Sequence, residues 1–228
     1  MKGKVIVITG GSRGLGRALA ELLIGKGATV VISSRHQAEI EVLAKEIGAT
    51  GWACDVTDEK SVIRLTDETV KKFGRIDIWI NNAGIWLPKT PLEEIDMKRG
   101  HELFEVNLFG TVYGSRQALI QMKKQGTGTI VNIVSSAALK GRPGQTMYSA
   151  SKHAAKGFTD SLREETKGSG ILIIGAYPGG FKSHLFDEHK PDEFGDFMSP
   201  ESVAERIVEN LMKKEPETEQ ILKRPGQA

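Results

Sequence analysis

Short apolar runs recur along the chain, punctuated by glycine or aspartate: Val5 to Ile8, Thr29 to Ile32, Gly51 to Ala53, Ile76 to Ile80, Thr129 to Val134 and Ile171 to Ala176. They are nearly continuous rather than alternating, the pattern of strands covered on both faces, and so they predict a parallel sheet. Between them lie stretches with helical spacing, such as Leu15, Leu19, Leu22 and Leu23, or Val62, Leu65, Val70 and Phe73, each long enough for a crossover connection. This alternation predicts an α/β fold: one doubly wound domain over residues 1–228, with a mainly parallel sheet of about seven strands flanked by helices. In such sheets ligands lie outside the carboxyl ends of the strands, so the segments after each strand are where function is expected. The stretch from Gly179 to Ser199 combines Pro191, Gly195, acids, phenylalanines and leucines, and is expected to be a mobile substrate flap. Beyond it Pro200 opens a helix through about Lys214, and Gln220 to Lys223 supplies a short edge strand.

Charge narrows the partners. The chain has 31 basic and 29 acidic residues among 228, a net charge of +2, which gives no reason to expect a nucleic acid or an anionic membrane as partner. The amino-terminal residues run from Lys2 and Lys4 straight into Val5, without a signal-peptide core, and no span of about 20 apolar residues occurs. A soluble, cytoplasmic protein is expected. The single cysteine, Cys54, cannot form an internal disulfide and reads as a small buried apolar residue. The five histidines are scattered without a metal-ligand spacing, and no metal is assigned.

The first strand ends in Thr9-Gly10-Gly11-Ser12-Arg13-Gly14-Leu15-Gly16 and leads into a helical pattern. Glycines there permit a tight turn and close backbone approach to the pyrophosphate of a dinucleotide, which the free N–H groups of the helix terminus then bind. The spacing is Gly-x-x-x-Gly-x-Gly, so the general dinucleotide fingerprint is matched in logic and not in letters. About 20 residues further on, where an acid would accept ribose hydroxyls, the chain reads Ser33-Ser34-Arg35. With no carboxylate to repel a 2′-phosphate, and with Arg13 and Arg35 able to pair with it, NADP(H) is preferred and NAD(H) remains possible. Asp55 either accepts from the adenine amino group or caps the turn at Thr57-Asp58.

Tyr148 and Lys152 are four apart in a helical stretch and so share a face. A phenol titrates near pH 10 and is a poor acid or base at neutral pH unless a cation favours its ionised form. At about 6 Å and an effective dielectric of about 20, the attraction is roughly 3 kcal/mol, enough to lower the phenol by about 2 pKa units.

Together these motifs resemble the short-chain dehydrogenase/reductase family, and the resemblance covers nearly the whole chain. Thr9 to Gly16 is similar to its cofactor loop, Asp55-Val56 to its adenine-side acid and Asn81-Asn82-Ala83-Gly84 to the turn after its fourth strand. Asn107 stands in the context of its catalytic asparagine, and Tyr148-x-x-x-Lys152 matches its active-site pair. The serine pattern, Asn132-Ile133-Val134-Ser135-Ser136, is displaced by one; counts from the asparagine and from the tyrosine both give Ser135, with Ser136 as the alternative. Pro178-Gly179-Gly180-Phe181-Lys182-Ser183 resembles the segment that holds the nicotinamide carboxamide, with serine where the family more often has threonine.

The resemblance implies a Rossmann-type fold and hydride transfer between a nicotinamide and a ketone, aldehyde, quinone or alcohol. Tyr148 would act as general acid or base, Ser135 would orient the oxygen, Lys152 would hold the ribose and tune the tyrosine, and Asn107 would keep a water in a proton relay. Trp86, Leu87, Met147, Gly180, Phe181 and Leu185 are candidates for the substrate pocket. The resemblance also implies a homodimer or homotetramer, although the end after Gln220 lacks the family's usual glycine-rich tail. Two rival readings are a dinucleotide-sensing binding protein that has lost the chemistry and a nucleotide-sugar epimerase or dehydratase, for which the chain is short. The first has no need of Ser135, Tyr148 and Lys152 together.

Overall fold

In the computed structural model, which describes residues 1–224, the apolar runs form seven parallel strands: β1 (Val5–Thr9), β2 (Thr29–Ser34), β3 (Thr50–Ala53), β4 (Ile78–Asn81), β5 (Gly128–Ile133), β6 (Ile171–Pro178) and β7 (Glu219–Leu222). Their order is β3-β2-β1-β4-β5-β6-β7. The chain therefore winds outward to β3, returns beside β1 and winds the other way, leaving a crevice where the direction reverses between β1 and β4. This is the doubly wound Rossmann-type sheet that the β-α alternation predicts, with every strand parallel.

Consecutive strand residues feed opposite cores, and so the runs are continuous in sequence. Ile6, Ile8, Val30, Ile32, Ile78 and Ile80 pack toward α1 (Gly14–Gly25), α2 (Gln37–Ile47) and α7 (Pro200–Met212). Val7, Val31, Trp79, Ile130 and Ile173 pack toward α3 (Glu59–Phe73), α5 (Gly110–Gln125) and α6 (Thr146–Glu165). Each fully buried isoleucine or valine contributes roughly 1.5–3 kcal/mol. Cys54 is 3% exposed, and burial pushes its thiol up to about 11, as suits a small apolar residue.

A long helical rod runs from α4 (Met97–Phe104) through a π-helical turn, Glu105–Phe109, into α5. The sequence pattern gave no signal for the π turn, which carries Asn107. No helix among the described residues is long and apolar enough to cross a membrane.

Candidate active site

A cleft of about 970 Å³ opens over the carboxyl ends of the strands, at the point where the sheet reverses. One wall is the loop from β1 into α1. Gly10 has φ 63° and a Cβ there would lie 2.9 Å from Ala83 Cα, so the turn between β1 and the segment after β4 admits no side chain. Gly16 faces inward instead: a Cβ would strike the Gly10 carbonyl oxygen and Asn82 Nδ2. Its place is helix packing, and of the loop residues it is Gly10, Ser12, Arg13, Gly14 and Leu15 that line the cleft. Arg13, the N-cap of α1, makes no side-chain cap, and the first turn holds no acid, so the backbone N–H groups there face the cleft uncapped.

The opposite side of this wall is knitted to it by hydrogen bonds. Asn82 Nδ2 donates to the carbonyls of Thr9 and Gly10 (both 2.9 Å), and Thr9 Oγ1 accepts from the backbone of Asn82 (3.1 Å) and Ala83 (3.2 Å). Below, Asn81 and Asn132 lie side by side in register, and Asn81 Nδ2 donates to Asn132 Oδ1 (2.8 Å) and Ser115 Oγ (2.9 Å), while Trp79 Nε1 donates to Asn81 Oδ1 (2.7 Å). Every strong donor of this buried cluster has an acceptor, so polar residues sit in a sheet interior without an uncompensated desolvation cost.

The cleft's far end brings together Ser34, Arg35, Asp55 and Val56. Arg13 and Arg35 are exposed there. Asp55 Oδ1 accepts from Thr57 N (3.0 Å) and Thr57 Oγ1 (2.8 Å), so of the two readings left open for it the turn-capping one is present. Its position on the cleft wall leaves the adenine-side role compatible with that geometry.

At the near end, Ser135, Tyr148 and Lys152 converge. Ser135 Oγ accepts from Ala137 N (3.0 Å) at the start of a short 3-10 turn, Ser136–Ala138, and its hydroxyl lies near enough to the Tyr148 phenol to pull its titration down. Ser136 Oγ is directed elsewhere and accepts from Arg142 Nη2 (3.1 Å). Lys152 is 6% exposed, its Nζ 6.0 Å from the Tyr148 ring centroid and 3.5 Å from the Ile133 carbonyl oxygen. Burial pushes Lys152 down to about 8. Burial also raises Tyr148 above its usual value, against the nearby Ser135 hydroxyl and the Arg142 charge, which both pull it down. The net lowering of the phenol that the Tyr148–Lys152 spacing predicts is not found, because the burial that weakens the ammonium also penalises the phenolate and outweighs the downward pulls.

This titration predicts a stability signature. Below pH 8 Lys152 is charged in both folded and unfolded chains; between about 8 and its unfolded value near 10.5 the unfolded chain holds more protons, so folding gains with pH. Cys54 opposes this from pH 9, because its folded value is raised and the unfolded thiol ionises first. The comparison with Lys152→Met isolates the lysine: wild type should gain about 3 kcal/mol relative to the variant from pH 8 to 10.5, by urea unfolding. Parallel curves would refute the buried, depressed ammonium.

Asn107 is 1% exposed and does not face the cleft. Its Oδ1 accepts from Ile85 N (2.9 Å), and its Nδ2 donates to Ile85 O (3.0 Å) and Ser151 Oγ (3.1 Å), so it braces the segment after β4 against α6. Gly84 sits between it and Lys152: a Cβ there would be 3.2 Å from Asn107 Oδ1 and 3.6 Å from Lys152 Nζ.

The remaining wall is the segment after β6. Pro178, Gly179, Gly180, Phe181, Ser183 and Leu185 line the cleft, and Ser183 Oγ accepts from Leu185 N (3.4 Å). Met147 does not line it and lies against Gly100 of α4, because one residue before Tyr148 on a helix points about 100° away. Trp86 does line it, and meets Phe186 edge-on at 4.9 Å. Phe186 also contacts Phe194 and Phe197, giving the flap its own aromatic core. Both ends of the flap are clipped together, Met198 N donating to Gly180 O (3.1 Å) and Lys182 N to Met198 O (2.8 Å). Arg99 to Glu188 (3.2 Å) ties it to α4 and Lys89 to Glu193 (3.6 Å) to the loop after β4.

The short chain dehydrogenase family model matches residues 4–193. The chain belongs to the short-chain dehydrogenase family. It is 33% identical to a 3-oxoacyl-(acyl-carrier-protein) reductase of Aquifex aeolicus, over 91% of this chain and 90% of that protein. A 3-ketoacyl-(acyl-carrier-protein) reductase from Brucella melitensis, solved with NADH, superposes with TM-score 0.91 at 27% identity, over 99% of this chain and 98% of that one. An alcohol dehydrogenase from Thermococcus sibiricus, solved with 5-hydroxy-NADP, gives 0.86 at 26% identity, over 99% and 98%. As a short-chain dehydrogenase the chain is an NAD(P)-dependent oxidoreductase acting on CH–OH or C=O groups of small molecules.

Reading the short-chain dehydrogenase motifs alone misses several groups that the fold adds to the cleft. Arg99, Phe186 and Phe197 come from helix and flap positions with no motif around them, and Arg142 and Gln145 from a turn that looks like simple punctuation. Only their convergence in space marks them.

Proposed function

We propose that the chain is an NADPH-preferring carbonyl reductase in which Tyr148 delivers the proton. The observation that carries this reading is the convergence of Ser135 and Tyr148 on one cleft wall over the buried Lys152, at the cleft end opposite Arg13 and Arg35. The cleft fits a dinucleotide by its own chemistry: an uncapped helix terminus for the pyrophosphate, a turn at Gly10 closed to side chains, and two guanidiniums where a 2′-phosphate would lie. A bound reduced nicotinamide supplies the hydride.

This chain's residues handle the oxygen and the proton. Ala137 N occupies a lone pair of Ser135 Oγ, leaving the serine proton free to donate to the substrate carbonyl oxygen. Tyr148 Oη, neutral because burial raises it, gives its proton to that oxygen as negative charge develops. Lys152, titrating near pH 8, stabilises the tyrosinate left behind, and Asn107 is a positioning residue that holds Ile85 and Gly84 beside it.

The coenzyme preference rests on Arg13 and Arg35. Arg35→Ala should lower kcat/KM for NADPH by about 10- to 100-fold, as expected for a charge-assisted contact, and change that for NADH by less than about threefold. Arg13→Ala should act in the same direction. Absorbance loss at the nicotinamide band with a carbonyl panel reads both; a wild type that prefers NADH would reverse the assignment.

A further inference from the structure

Arg142 has no role in the chemistry above, yet it is fixed at the substrate end of the cleft. It begins the turn Arg142-Pro143-Gly144-Gln145, closed by Gln145 N donating to the Arg142 carbonyl oxygen (3.2 Å), with Gly144 at φ 69°. Proline followed by a left-handed glycine is the pair such a turn needs at its centre. The turn is anchored on both sides. The Gly144 carbonyl accepts from Thr90 N (2.9 Å) and the Gln145 carbonyl from Ser149 N (2.8 Å), so Arg142 is held on a base continuous with α6 and Tyr148.

Its guanidinium uses one donor on Ser136 Oγ (3.1 Å) and has no carboxylate within ion-pair distance among the described residues. The other cations around the cleft are spoken for or distant: Arg99 pairs with Glu188, Lys89 with Glu193, Lys152 is buried beneath the tyrosine, and Arg13 and Arg35 lie at the far end. Tyr148 feels the Arg142 charge, which places the guanidinium within electrostatic reach of the reacting oxygen. A planar fork of donors without a counter-charge, set beside Ser135 and Tyr148, matches a carboxylate better than any neutral group.

We infer that the cleft takes a carbonyl compound bearing a carboxylate, with Arg142 as the specificity-determining residue. The carbonyl oxygen meets Ser135 and Tyr148, the apolar body lies against Trp86 and Phe186, and the carboxylate pairs with Arg142. This rests on the carbonyl-reductase reading of the same site. A phosphate ester presents similar anionic oxygens, so the test includes one.

The experiment compares oxo acids, their methyl esters and a keto phosphate of similar size, with NADPH, in wild type, Arg142→Met and Arg142→Lys. Wild type should prefer acid to ester by at least about tenfold in kcat/KM. That preference should vanish in Arg142→Met, chiefly through KM, and persist in part in Arg142→Lys. An acid-to-ester ratio equal in wild type and Arg142→Met overturns the inference and leaves the reductase reading standing, as does a wild type that prefers the keto phosphate to every acid. A wild type that oxidises NADPH with no carbonyl overturns the reductase reading and this inference with it.

Discussion

Replacing Tyr148 by phenylalanine should lower kcat/KM for carbonyl reduction by about 10³-fold, within the range by which a positioned general acid contributes. The change removes one oxygen and keeps the ring, so the packing over Lys152 Nζ at 6.0 Å survives. NADPH affinity, measured by fluorescence titration, should move by less than about threefold, because the phosphate-facing wall lies on β1 and α1, far along the cleft. A variant that retains more than about a tenth of the wild-type rate would remove Tyr148 from the chemistry. The pH profile offers a second reading: with Lys152 pushed down to about 8, kcat/KM should lose a limb near that value in Lys152→Met.

The two serines after β5 should separate just as sharply. Ser135→Ala should cost about 10²–10³-fold in kcat, the usual consequence of deleting one hydrogen-bond donor to a developing oxyanion. Ser136→Ala should cost less than about threefold on a neutral carbonyl, because its hydroxyl is turned to Arg142. Ser135 also caps the 3-10 turn through Ala137 N, so its variant should lose roughly 1 kcal/mol of stability, far too little to explain the kinetic loss at assay temperature. Equal effects of the two substitutions would mean that the displaced serine pattern had been read in the wrong register.

Most strands were legible because each feeds two cores and so reads as an unbroken apolar run; β1, β2 and β6 are the clearest cases. The fourth apolar run begins two residues before its strand. Ile76 is buried, but Asp77 accepts from Val5 N, Lys4 and Arg75 at the edge, and pairing with β5 begins only at Ile78. Its other end was hidden by polarity: Asn81 reads as a loop residue, and is a strand residue because Trp79, Ser115 and Asn132 satisfy its amide. The same limit applies at the site. Tyr148 and Lys152 announce themselves by spacing along one helix, whereas the π turn that carries Asn107 and the isolation of Arg142 are matters of three-dimensional neighbourhood. Met147 lies against Gly100 and off the cleft wall for a simpler reason, since adjacency in sequence to Tyr148 is not adjacency in space on a helix.

The flap leaves and rejoins the body at nearly one point, where Gly180 and Met198 exchange a hydrogen bond, and between those residues it packs largely on its own phenylalanines. An excursion whose two feet already touch can change length or sequence at small cost in loop-closure entropy. The dinucleotide wall, stitched through Asn82 and Thr9, has no such freedom. Substrate range in this scaffold can therefore drift by wholesale exchange of residues 184–197, grafted like a cassette, while the coenzyme-facing residues through Ser183 stay as they are.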